Sequence, residues 1–205
     1  MKIIFATGNK GKLREAAEIL GPEFELVSPA SLGITGEIEE TGTTLEENSL
    51  IKAEFLWKET GLPCFADDTG LEVEALGGGP GVYTARYAGE GCDFNDNMEK
   101  LLRELQSAGA MLPQQRSARF RSVVTIITDG TPHYFEGTME GRIALSKAGC
   151  GGFGYDPIFI ADEYPNKTVA EIPEEAKNAI SHRGKALRQM AGWLKEKKLT
   201  ENCYF

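Results

Sequence analysis

The opening of the chain constrains the fold more than any other stretch. Lys2 to Ala6, KIIFA, is a short apolar run suited to a buried strand. Leu13, Ala16, Ala17 and Leu20 then recur at helical spacing until Gly21-Pro22 stops the helix. Between the two lies the turn Thr7-Gly8-Asn9-Lys10-Gly11-Lys12. A strand fed through a glycine turn into an amphipathic helix is the building unit of α/β folds.

The rest of the chain continues in the same mixed style. A short strand is expected from Phe24 to Val27. A helix follows that is marked by two capping-box patterns, Thr43 with Glu46 and Thr44 with Glu47, and is stopped by Gly61 and Pro63. Leu45, Ser49, Ala53 and Leu56 form its buried face, with Asn48 and Lys52 one turn apart on a neighbouring face. Cys64 to Ala66 reads as a strand ending at the acid pair Asp67-Asp68. Leu71, Val73 and Ala75 alternate as a further strand before the loop Gly77-Gly78-Gly79-Pro80-Gly81. Met98, Leu101, Leu102 and Leu105 mark a helix, and Ser117 to Thr128 a strand that turns at Asp129-Gly130 into another, His133 to Glu140. A second glycine loop spans Gly149 to Gly154. Ile158 to Ile160 is a short strand, and Leu187, Met190, Ala191 and Leu194 stripe a final helix. No repeat, linker or composition break divides the 205 residues, so one α/β domain over 1–205 is expected.

Composition narrows the partners. The formal net charge of −9 argues against a broad footprint for nucleic acid or anionic lipid. Positive charge is local instead: Lys10, Lys12 and Arg14 near the start, and Lys177, His182, Arg183 and Lys185 near the end. No apolar run approaches a membrane span or a signal-peptide core. Cys64, Cys92, Cys150 and Cys203 lie far apart without zinc-site spacing, which suits a thiol-reducing compartment. A cytoplasmic protein is expected.

Three constellations bear on chemistry. Gly8 and Gly11 would let an anion approach the backbone N–H groups of a helix start, with Lys10 and Lys12 adding full charges. Alone, this turn is either a phosphate cradle or a glycine turn with solvated lysines; it matches neither the Walker loop nor G-x-G-x-x-G. Glu39, Glu40, Asp67 and Asp68 would suit Mg²⁺ if their elements are neighbours, since that ion takes oxygen ligands; the bland alternative is a solvated acidic loop. Gly151-Gly152-Phe153-Gly154-Tyr155-Asp156-Pro157 either presents a ring for a flat ligand to stack on or tucks Phe153 and Tyr155 into the core. Ser181-His182-Arg183-Gly184, at the start of the last helix, offers donors for a base edge or simply an N-cap. With His133 and His182 the sole histidines and no G-x-S-x-G elbow, a serine hydrolase is disfavoured.

Taken in order, TGNKGK (7 to 12), EETG (39 to 42), EEN with Lys52 downstream, FADDTGLEVEALGGGPGVYTARYAG (65 to 89), GGFGYDPIF (151 to 159) and K-x-x-x-x-H-R-G ending at Gly184 resemble the inosine triphosphate pyrophosphatase family, from about Lys2 to about Leu194. The resemblance implies Mg²⁺-dependent hydrolysis of ITP, dITP and XTP to the monophosphate and pyrophosphate. It also implies an elongated mixed β-sheet flanked by helices, two lobes around an active-site cleft, and a homodimer. By the same resemblance, Thr7, Gly8, Asn9, Lys10, Gly11, Lys12 and Lys52 hold the phosphates. Glu39 and Asp68 serve the metal, Asp68 also accepts the proton of the attacking water, and Thr69 touches substrate. Phe153, Gly154, Tyr155, Asp156, Lys177, His182 and Arg183 line the base and sugar. Thr69, Leu45 and Cys150 stand where the family often has serine, phenylalanine and threonine. Glu201 to Phe205 match nothing in the family and read as a frayed tail.

Overall fold

Alternation along β1 (Lys2–Phe5) sets the architecture. Ile3 and Phe5 point to one face and Ile4 to the other, and all three are fully buried, the mark of a strand covered on both sides. The computed structural model describes residues 1–36, 38–91 and 93–202, with side chains to residue 197. Glu37 of the acidic stretch, Cys92, and Cys203 to Phe205 of the tail lie outside the described residues.

After β1 come α1 (Lys10–Leu20), β2 (Glu25–Val27), α2 (Leu45–Thr60), β3 (Cys64–Val73), β4 (Pro80–Gly81), α3 (Phe94–Ser107), β5 (Ser117–Ile127), β6 (Pro132–Ile143), β7 (Phe159–Ala161), α4 (Glu174–Ile180) and α5 (His182–Asn202). The strand order is β2-β1-β3-β5-β6-β7, with β4 paired to β3 off that path. β1 runs parallel to β2 and β3, while β4 is antiparallel to β3 and β7 to β6. The chain is thus an α/β fold built on a mixed sheet with flanking helices. No helix among the described residues is long and apolar enough to cross a membrane.

The sequence places a strand end at Ala66 and a new strand at Leu71; the structure has one ten-residue strand, β3, running straight through Asp67-Asp68. Both acids meet cations, so the strand has no electrostatic reason to stop there. Ala75, expected to continue the alternation, lies instead in a short 3-10 turn, Glu74–Leu76. At α2, one of the two capping boxes forms: Thr44 Oγ1 accepts from Glu47 N–H at 3.1 Å, and Glu47 reaches back to Thr44 N–H at 3.2 Å. The seven-residue α4 carries no apolar stripe that would announce it.

The chain packs as two compact units. The first comprises Met1–Asp68, Ser122–Gly137 and the chain from Arg183 on; the second comprises Thr69–Arg121 and Thr138–His182. In the first, Ile3, Phe5, Phe65 and Ile126 pack with Leu20 of α1 and with Leu187, Met190 and Leu194 of α5. On the opposite face Ile4, Ala66 and Ile127 pack with Ala53 and Leu56 of α2. The second unit has its own core, in which Leu101 and Leu105 of α3 meet Leu71, Val73, Phe120, Met139 and Phe159.

Candidate active site

Successive residues of a strand point to opposite faces, and that alternation separates the two adjacent acids of β3. Phe65 and Asp67 look towards α1 and α5, and Ala66 and Asp68 towards α2. The like charges that sit side by side in sequence are therefore met by different cations.

Asp67 is 2% exposed. Lys12 of α1 brings Nζ to 3.2 Å from Oδ1 and 3.1 Å from Oδ2, and Arg183 of α5 donates from Nε to Oδ2 at 2.8 Å. Burial opposes the charge, but Lys12 and Arg183 outweigh it and hold the Asp67 carboxyl well below the usual carboxylate range. Arg183 Nη1 also lies 3.6 Å from Glu15 Oε2.

On the α2 face, Lys52 Nζ lies 2.7 Å from Glu40 Oε1 and 3.2 Å from Asp68 Oδ1. Burial pushes the Asp68 carboxyl above its ordinary value against the pull of Lys52, with the Glu40 and Asp67 charges adding to the rise. Lys52 stays protonated, because Asp68, Asp67 and Glu40 together outweigh its own burial. The loop that delivers Glu40 is tied to α2: Asn48, fully buried, accepts from Gly42 N–H at 2.8 Å. A Cβ at Gly42 would lie 2.6 Å from Asn48 Oδ1 and from Glu47 Cβ, so this approach requires glycine.

Glu39, expected beside Asp68, is exposed and makes no hydrogen bond or ion pair among the described residues; its neighbour Glu40 reaches Lys52. Among the described residues no three acids, histidines or cysteines converge. The donors present are carboxylate oxygens, the hard ligands that suit Mg²⁺, which at phosphate sites takes one or two carboxylates and fills its shell with water and substrate oxygens. Asp68 with Glu40 or Glu39 fits that demand.

In the turn before α1, Asn9 is the N-cap. Its Oδ1 accepts from Gly11 and Lys12 N–H at 2.8 and 3.2 Å, and its own N–H donates to Thr7 Oγ1 at 3.1 Å. Two of the helix-start amides expected to face an anion are thus engaged by Asn9. Lys10 is exposed, and a Cβ at Gly8 would meet nothing within 4 Å.

In the second unit, the aromatic loop splits between the two alternatives the sequence left open. Tyr155 is buried and donates from its hydroxyl to Thr84 C=O at 2.9 Å. Phe153 is 60% exposed, with Lys177 Nζ 4.4 Å from its ring centre and the half-exposed Phe94 ring 6.5 Å away. Asp156 Oδ2 accepts both from Lys177 Nζ and from Phe153 N–H. Gly152 has a positive φ of 72°, and a Cβ there would collide with that same oxygen. Gly154 turns the loop with φ of 63°. Thr69, half-buried, follows the acid pair along β3. His182 stacks on Phe120 with ring centres 5.0 Å apart and planes at 15°. Arg183, the next residue of α5, turns to Asp67.

Sequence reasoning did not place Glu15, Asn48, Phe120 or Phe94 at a site. Asn48 had a signal, as the last residue of EEN one turn from Lys52. Phe120 and Phe94 had none, since their contacts come from chain distant in sequence.

Acids paired with lysine or arginine share one compact unit with a lysine-bearing helix start, an arrangement suited to holding and neutralising phosphate oxygens. The sequence profile of the Ham1 family matches residues 3–193, and the chain belongs to that family. It is 50% identical over 193 residues to the dITP/XTP pyrophosphatase of Porphyromonas gingivalis, covering 94% of this chain and 97% of that protein. To the dITP/XTP pyrophosphatase of Vibrio vulnificus it is 46% identical over 203 residues, covering 97% and 98%. Among solved structures, the Coxiella burnetii HAM1 protein superposes with a TM-score of 0.89 at 40% identity, covering 96% of this chain and 99% of that one. The Staphylococcus aureus Ham1 protein gives 0.88 at 38% identity, covering 96% and 100%.

Proposed function

We propose that this chain, working as a single nucleoside triphosphate pyrophosphatase domain, hydrolyses the non-canonical purine nucleotides ITP, dITP and XTP to the nucleoside monophosphate and pyrophosphate. The observation that carries the reading is Lys52 bridging Glu40 and Asp68, which puts a base and a cation together. The names of the relatives support the substrate class.

In this mechanism a water oxygen attacks the α-phosphorus while the bond to the β-phosphate oxygen breaks. Asp68 takes the proton released by that water. Lys10, Lys12 and Lys52 offset the charge that grows on the departing pyrophosphate. Mg²⁺, when bound at Asp68 with Glu40 or Glu39, supplies further charge neutralisation on the phosphate oxygens and polarises water. Phe153 offers its exposed face to the purine ring, with Gly154, Tyr155, Asp156 and Lys177 shaping that platform. A donor such as His182 facing C6 pairs with the oxygen of hypoxanthine or xanthine. Adenine presents an amino group there, and a buried polar group left unpaired costs about 1–3 kcal/mol. Guanine carries the same C6 oxygen, so this contact sorts ITP and XTP from ATP only. A homodimer in the cytoplasm completes the proposal, supported by the family resemblance.

Incubation with ITP, ATP or GTP, with and without Mg²⁺, followed by phosphorus NMR tests the reading. Pyrophosphate and IMP from ITP, dependent on the metal, are expected. Orthophosphate as the product, or ITP bound without turnover, would replace the proposal with a phosphatase or a binding module. Asp68→Asn is expected to lower turnover by at least about 10²-fold, the contribution of a general base, with little change in the thermal melt. Near-normal turnover in that variant would remove Asp68 from the role.

A further inference from the structure

Asp67 is an acid beside the proposed metal site whose two oxygens are both already taken. Lys12 spans Oδ1 and Oδ2 at 3.2 and 3.1 Å, and Arg183 Nε takes Oδ2 at 2.8 Å. The carboxylate points away from the Lys52 face of β3 and is 2% exposed. Those are poor credentials for a metal ligand or a proton acceptor. They are the credentials of an internal anchor.

We propose that Asp67 is a positioning residue that holds Lys12 in place for the phosphate groups of the substrate, with Arg183 fixing the carboxylate from the α5 side. The two cations come from different helices of the first unit, α1 and α5. Without an anion between them, two such charges repel and swing apart on long side chains. With Asp67 fixed in β3, each is held by one end. An ammonium has three N–H donors, so Lys12 keeps hydrogen for anionic oxygens. The Lys12 side chain is 29% exposed, so its charge is reachable from solvent. Glu15, 3.6 Å from Arg183 Nη1, braces the guanidinium from a second side. The inference rests on the proposed role of Lys12 at the phosphates.

Charge and position make opposite predictions for Asp67→Asn, which keeps the shape of the side chain and removes its charge. If Asp67 acted only as a negative charge near the phosphates, the substitution would tighten anion binding. If it positions Lys12, binding weakens. The expected result is a rise of about tenfold or more in the Kd for inorganic pyrophosphate by calorimetry and in KM for ITP, the size typical of a lost supporting contact. The smaller change should fall on kcat, and the Mg²⁺ concentration for half-maximal rate should stay unchanged. Pyrophosphate binding equal to or tighter than wild type would overturn the proposal, as would a loss confined to kcat with a shifted Mg²⁺ requirement. If the variant does not fold, a crystal structure of the wild-type protein with pyrophosphate decides. Lys12 touching the ligand while still bonded to Asp67 supports the proposal, and Lys12 leaving Asp67 to bind overturns it. Wild-type hydrolysis of ITP is measured alongside. Its absence would sink the functional reading, whereas its presence with unaltered pyrophosphate binding in the variant would sink the anchor alone.

Discussion

The two neighbouring aspartates differ in pKa because of the side of the strand each faces. Asp67 meets Lys12 and Arg183, which outweigh its burial and hold it ionised; Asp68 is pushed up by burial against the pull of the one lysine it shares with Glu40. The first shift has a consequence for stability. A carboxyl whose pKa is depressed in the folded state stabilises it above its unfolded pKa of about 3.9, and the contribution fades as pH falls below that value towards the folded pKa. Wild type should therefore exceed Asp67→Asn in stability at pH 7, with the gap narrowing at pH 3. Urea unfolding at the two pH values measures this. A gap that holds constant or widens in acid would contradict the ion-pair account of Asp67.

At the scale of elements, α2 does more than cover one face of the sheet. Its N-cap Thr44 and Glu47 tie off the incoming loop, Asn48 takes the N–H of Gly42, and Lys52 one turn further meets the acid that loop carries. Position along one helix thus places Glu40 relative to Asp68. Thr44→Ala removes the cap hydrogen bond and is expected to cost about 0.5–2 kcal/mol, roughly 2–4 °C in Tm per kcal/mol for a chain of this size. Differential scanning calorimetry checks it. Because the same cap orients the Glu40 loop, the variant should also show a higher Mg²⁺ requirement than wild type at a temperature where both are folded. A Tm loss with an unchanged Mg²⁺ requirement would separate the cap from the site.

At the scale of the molecule, the chain passes from one compact unit to the other inside β3, β5, β6 and α5, at Asp68, Arg121, Gly137 and His182. Unfolding either unit breaks strands that continue into the other, so a single calorimetric transition is expected, with calorimetric and van't Hoff enthalpies equal. Two resolved transitions would show that the units melt separately. The sequence by itself determined whatever local periodicity and capping dictate. The α/β class, an α2 start at Thr43 or Thr44, the buried face Leu45-Ser49-Ala53-Leu56 and the α5 stripe Leu187-Met190-Ala191-Leu194 were all legible, because apolar spacing and side-chain caps act within a few residues. The ordered motifs also announced the family. Only tertiary structure decided that β3 runs unbroken through its acids, that Glu40 is the acid on Lys52, that Tyr155 is buried while Phe153 is exposed, and that Arg183 turns to Asp67. Each of these depends on a charge or a surface supplied by residues far away in sequence. A carboxylate's partner is set by which face of the sheet it occupies and which helix packs there.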